Sequence, residues 1–144
     1  DGDGRLVVPV GAFLVHVDER LVLLDAGVGD VHDEMFDGGD LFDRVRESGE
    51  RVVIDGPCLS ACTLVLMTVP EERICVTRRA VLGFHAARSI DRRGRTYAEP
   101  EASRAVLESY PPPVRDWISR RGGLTSRMLL LRGRELAAIY PRCR

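Results

Sequence analysis

"RVVIDGPCLSACTLVLM", residues 51–67, holds a short apolar run, an Asp-Gly-Pro turn, one serine among small residues and a second apolar run. The first run is brief and rich in Val and Ile, which predicts a buried strand over 51–55. The second runs from Ser60 to Met67 and closes before Pro70, which predicts an apolar helix opened by Ser60. Taken alone, Ser60 reads as the N-cap of that helix. The same place suits a nucleophile. The positive end of the helix dipole lies there, and the backbone N–H of Ala61 could receive a developing oxyanion.

Downstream, "RICVT" at 73–77 and "AVLGF" at 80–84 predict two further strands, the second ending at His85. "SIDRRGRTYAEP", 89–100, reads as a polar, mobile loop. Helices are predicted over 101–110, 113–121, 125–132 and 134–139, broken at "PPP" and "RGG". Upstream, 6–10, 12–17 and 21–25 predict strands, with a hairpin turn at 18–20. Glycine turns follow at "DAGVGD" and "FDGGD", and then a helix ending at Gly49. Strands alternating with helices in this way predict an α/β fold.

Composition bounds the chemistry. A chain of 144 residues suits one hydrophobic core better than two. All 21 basic residues are arginine, and Lys, Asn and Gln are absent. That excludes a P-loop lysine, a Schiff-base lysine, a Ser-Lys dyad and a Cys-His-Asn triad. Acid–base work falls to His16, His32, His85 and the carboxylates. No apolar run approaches the roughly 20 residues of a membrane span. Residues 1–50 carry 13 acids and 4 arginines, and 51–144 carry 9 acids and 17 arginines. The arginines lie scattered among apolar residues without interleaved aromatics, which argues against nucleic-acid binding.

Four cysteines, Cys58, Cys62, Cys75 and Cys143, could be buried thiols, two disulfides or a metal site. Only Cys58 and Cys62 are close in sequence, so no metal or other cofactor is expected. Disulfides require an oxidising compartment. The chain starts at Asp1 without a leader, so any export signal has been removed or never existed. The expected location is the periplasm or the exterior, with the cytoplasm as alternative.

"VVIDGPCLSACTLVLMTVPEERICVTRRAVLGFHAAR", 52–88, resembles the active-site stretch of the ClpP/crotonase superfamily. In that family a serine opens a small-residue helix after a buried strand, and a histidine follows about 25 residues later at a strand end. Ser60 and His85 stand 25 apart. "YPPPVRDWISRRGGLTSRMLLLRGRELAAIYPRC" is similar to the C-terminal part of small bacterial ClpP-like proteins, many of them exported. The resemblance covers residues ~50–144 and implies a ClpP/crotonase-like sheet with flanking helices, to which the N-terminal hairpin strands are added.

The resemblance implies a serine hydrolase, acting on a peptide or a small ester or amide, with Ser60 as nucleophile and His85 as base. A serine hydroxyl needs such a base at neutral pH. The oxyanion donors would be Ala61 and an upstream glycine, either Gly29 after a strand or Gly39 in a Gly-Gly pair. The family's acid would fall in "GGLTSRMLL", which holds neither Asp nor Glu, leaving Asp91, Asp116 and Glu135 as substitutes. Pro57 and Cys58 also replace the small residues usual before the serine. The alternative is a non-catalytic ClpP-fold module for binding or assembly. A homo-oligomer is compatible with either.

"VPVGAFLVHVDERLVLLDAGVGDVHDEMFDGGDLFDRVRESG", 8–49, is similar to the opening strands of metallo-β-lactamase-fold hydrolases. That family's His-x-His-x-Asp-His motif is missing, and His32 with Asp30 and Asp33 reads as a solvated turn. A truncated metallo-hydrolase is therefore a remote reading. The charge break and the change of resemblance divide the chain into an acidic, strand-rich 1–50 segment and a ClpP-like 51–144 region. Unpaired hairpin edges invite aggregation, so the N-terminal strands are expected to dock beside strand 51–55.

Overall fold

A computed structural model describes residues 46–144 and, before them, the backbone of three strands: β1 (Arg5–Val7), β2 (Ala12–Val17) and β3 (Arg20–Asp25). The chain forms two compact units, 1–83 with 131–144, and 84–130.

The first unit is built on β4 (Arg51–Ile54), whose Val52 and Ile54 are fully buried. A strand buried on both faces needs apolar residues at consecutive positions, which "VVI" supplies. β4 pairs in parallel with β3 on one side, Leu21 opposite Val52, and with β6 (Ile74–Val76) on the other. β1, β2 and β3 form an antiparallel meander, giving a five-stranded mixed sheet in the order β1-β2-β3-β4-β6. The hairpin strands thus dock beside β4, as expected.

After β4 the chain turns at Gly56, φ +97°, and enters β5 (Pro57–Leu59). A 3-10 turn, Ser60–Leu64, passes into the short helix α1 (Val65–Thr68). β6 follows, then β7 (Val81–Phe84). β5 and β7 are parallel neighbours in a second sheet, ordered β10-β7-β5, whose other member is β10 (Leu129–Arg132). Successive strand pairs therefore divide between two sheets. β4 and β6 lie in one, β5 and β7 in the other, and the serine turn links the two pairs. α4 (Gly133–Ala137) buries Leu136, and the tail behind it buries Tyr140.

The second unit begins with Phe84. It holds a hairpin of β8 (Arg88–Ile90) and β9 (Thr96–Ala98), then α2 (Pro100–Ser109) and α3 (Pro112–Arg120). Each helix carries proline in its first turn, where the missing N–H costs nothing. The core is aromatic. Phe84 meets Tyr110 edge-on at 5.1 Å and Trp117 at 6.1 Å, and the Arg121 guanidinium covers Trp117 at 4.1 Å.

Three expectations are corrected. Residues 89–100 are no loose loop, because Asp91 organises a hairpin turn. Its Oδ1 accepts the N–H groups of Arg93 and Arg95, and Gly94 supplies a left-handed φ of +79°. Residues 125–132 are not helical; "LLLR" joins β7 as β10. Gly122 and Gly123, both left-handed, stop the preceding helix, and Leu131 gains full burial in the sheet. The apolar stretch after Ser60 is α-helical only from Val65, and Pro57, expected to close the Asp-Gly-Pro turn, begins strand β5.

Candidate functional site

Ser60 follows β5 and opens the 3-10 turn, but it is not an N-cap. The capping position is Leu59, with extended backbone and no side-chain cap bond. Ser60 itself has φ +58°, the one non-glycine among the described residues in the left-handed region. An L-residue there costs roughly 1–2 kcal/mol, so the surrounding structure must impose it.

Three restraints do so. The disulfide Cys58–Cys62 closes a short loop with Ser60 at its middle, and both cysteines are fully buried. The buried Thr63 donates its hydroxyl to the Ser60 carbonyl at 2.5 Å. β5 is held to β7 in parallel register, Leu59 opposite Gly83. The Ser60 residue is exposed at the apex. A short polar side chain displayed at the strained end of a parallel strand is the local geometry of a nucleophile turn. Ala61 follows within the 3-10 turn; Gly29 and Gly39, the other oxyanion candidates, lie outside the described residues, as do Asp30, His32 and Asp33.

His85 comes directly after β7 and is half-buried, as the first polar residue of the second unit. Its Nδ1 lies 2.7 Å from the Ala86 carbonyl oxygen. A carbonyl only accepts, so Nδ1 is the donor, and the tautomer protonated there alone has its lone pair on Nε2. A main-chain oxygen thus orients the ring. This contact was not legible in the spacing of the chain, since it depends on the turn that residues 85–87 make.

The acid candidates fare differently. Asp91 is consumed by its own hairpin, where Oδ2 accepts Arg95 Nε at 2.9 Å and Tyr97 Oη at 3.0 Å. The Arg95 and Arg93 amides, with these side-chain donors, hold its carboxyl below the usual range. Asp116 is exposed on α3. Glu135 sits in the first turn of α4.

A second acidic site supports the serine turn. Asp55, between β4 and β5, accepts Arg79 Nε and Nη2 at 3.0 and 2.6 Å, and Thr77 Oγ1 at 2.7 Å. The Arg79 hydrogen bonds, then Thr77's, lower its carboxyl pKa. They tie the entry of the turn to the strand exit after β6.

Among the described residues no group of three His, Cys, Asp or Glu could hold a metal ion, and no helix is long and apolar enough to cross a membrane. No family model, curated protein or solved structure matches the chain.

Proposed function

We propose that the chain is a serine hydrolase of ClpP-like architecture, acting on a peptide or a small ester or amide. The observation that carries the reading is the left-handed, exposed Ser60 held at the carboxyl end of a parallel strand. Backbone strain of this kind persists where the surroundings over-determine it, and it concentrates at functional positions.

In the proposed reaction Ser60 Oγ attacks the carbonyl carbon and gives its proton to a general base, the role that the resemblance assigns to His85. The ring, oriented through Nδ1–H to the Ala86 carbonyl, then returns the proton to the leaving group. The Ala61 N–H stabilises the oxyanion. The role of His85 rests on its spacing from Ser60 and its place after β7. A carbonyl offers no charge to stabilise an imidazolium, so turnover should be slow compared with a complete triad. Two disulfides favour an oxidising compartment, hence an exported protein.

The commitment of Asp91 to its hairpin favours a second reading, a non-catalytic module of the same fold. Labelling with a fluorophosphonate separates the two. Wild type should label, and Ser60→Ala and His85→Ala should not. A folded wild type that stays unlabelled selects the non-catalytic module, and labelling that survives Ser60→Ala removes Ser60 from the chemistry.

A further inference from the structure

The first unit contains a cavity of about 380 Å³ that lies apart from the serine turn in its lining. Arg51, at the start of β4, lines it together with Arg142 and Arg144 of the C-terminal tail. Glu72 is the one carboxylate among the described lining side chains. Among these, three guanidinium groups and one carboxylate leave a net charge of +2.

The convergence is built into the fold. Cys143, between the two tail arginines, is bonded to Cys75 of β6. Val76 N–H donates to the Pro141 carbonyl at 2.9 Å, and Cys143 N–H to the Val76 carbonyl at 3.0 Å. Arg142 Nη1 donates to the Thr77 carbonyl at 2.7 Å. The tail is thereby fixed as an extra edge along β6, and its arginines are set beside Arg51. Arg51 and Arg144 have no side-chain partner among the described residues. Like charges gathered and left uncompensated favour an anion between them, and guanidinium forks match phosphate oxygens two at a time.

We propose that this cavity binds a phosphate monoester. At neutral pH that group carries about −1.5 to −2, which matches the net charge of the lining. Pro141 supplies an apolar wall for the organic part of the ester. The Cys75–Cys143 disulfide positions the site, because without it the tail that carries two of the three arginines is held only by hydrogen bonds. The proposal does not depend on Ser60 being a nucleophile.

The test is calorimetric titration of the full chain with phenyl phosphate, with phenol as the uncharged arm. Saturable binding of phenyl phosphate and none of phenol is expected. Arg51→Gln and Arg144→Gln should each raise Kd about tenfold, since a charge-assisted bond to phosphate is lost. Arg127→Gln, on an arginine outside the lining, should leave Kd unchanged. Cys75→Ser with Cys143→Ser should weaken binding at least as much as one arginine replacement. If that double variant does not fold, the two exposed arginines decide the matter alone. Absence of saturable binding, or an equal loss in Arg127→Gln, overturns the proposal.

Discussion

Removing the Cys75–Cys143 disulfide should cost far more stability than removing Cys58–Cys62. The bonded residues are 68 apart in the first case and 4 apart in the second. Loop-closure entropy in the unfolded chain then puts the stabilisation at about 4.4 kcal/mol for the long loop and about 2 kcal/mol for the short one. The larger figure is a substantial part of the roughly 5–15 kcal/mol that holds a domain together. The same bond retains the tail, with Tyr140 buried behind it and two main-chain hydrogen bonds to Val76 beside it. Urea unfolding, followed by circular dichroism, compares Cys75→Ser/Cys143→Ser with Cys58→Ser/Cys62→Ser. With a slope of roughly 1.5–2 kcal/mol per molar urea, the long-loop variant should lose about 2–3 M in midpoint and the short-loop variant about 1 M. Hydrogen exchange should also quicken at the Val76 and Cys143 amides in the first variant. Equal midpoints, or a greater loss in the short-loop variant, would refute the entropic argument and move the stabilising role to the serine turn.

Three further outcomes are expected. Ser60→Gly removes the left-handed penalty and should stabilise the protein by up to about 1 kcal/mol, while Ser60→Val should destabilise it, both read from thermal unfolding. Tyr140 is 1% exposed with a hydroxyl that finds no partner among the described residues, so Tyr140→Phe should raise stability by about 1 kcal/mol in urea titration. Arg79 first, then Thr77, holds the folded-state Asp55 carboxyl below its ordinary 3.8, so its contribution is present above that value and is lost as pH falls through the lowered one. Asp55→Asn should therefore start less stable at neutral pH and show a shallower acid limb; identical limbs in the two proteins would discount the pair.

Much of the fold was legible because burial imposes its own pattern. "VVI" at 52–54, "ICV" at 74–76 and "VLGF" at 81–84 are short, apolar and β-branched or aromatic, and they became strands. The breaks at "PPP" and "RGG" placed α2 and α3 to within a residue. The failures fell where tertiary contacts overruled local preference. Leucine favours helix, yet Leu129–Arg132 is a strand, because an adjacent sheet edge offered Leu131 complete burial. Residues 89–100 looked shapeless by composition, yet one aspartate satisfying four donors folds them into a hairpin.

The candidate site shows the same division at finer scale. Residue types and spacing nominate Ser60 and His85, but they carry no trace of the two features that bear on chemistry. The first is a backbone angle. A serine after a strand and before an apolar run reads as a cap, and the cysteines at 58 and 62 leave buried thiols, a disulfide or a metal site equally open. Only once they are bonded, with Thr63 pulling on the serine carbonyl, does the left-handed turn become obligatory. The second is a main-chain acceptor. Looking for a carboxylate partner for His85 leads to Asp91, the nearest acid in sequence, which is already spent on its own turn. In the proposed mechanism the Ala86 carbonyl would perform the orienting part of the acid's task and not the charge-stabilising part. A hydrolase built this way should therefore label readily with a phosphonate, which needs a directed nucleophile. It should turn over amides poorly, because they need a stabilised imidazolium to protonate the leaving nitrogen. Comparing the labelling rate with the hydrolysis of an activated ester and of an amide checks that argument. Amide turnover as fast as ester turnover would mean that a carboxylate completes the site after all.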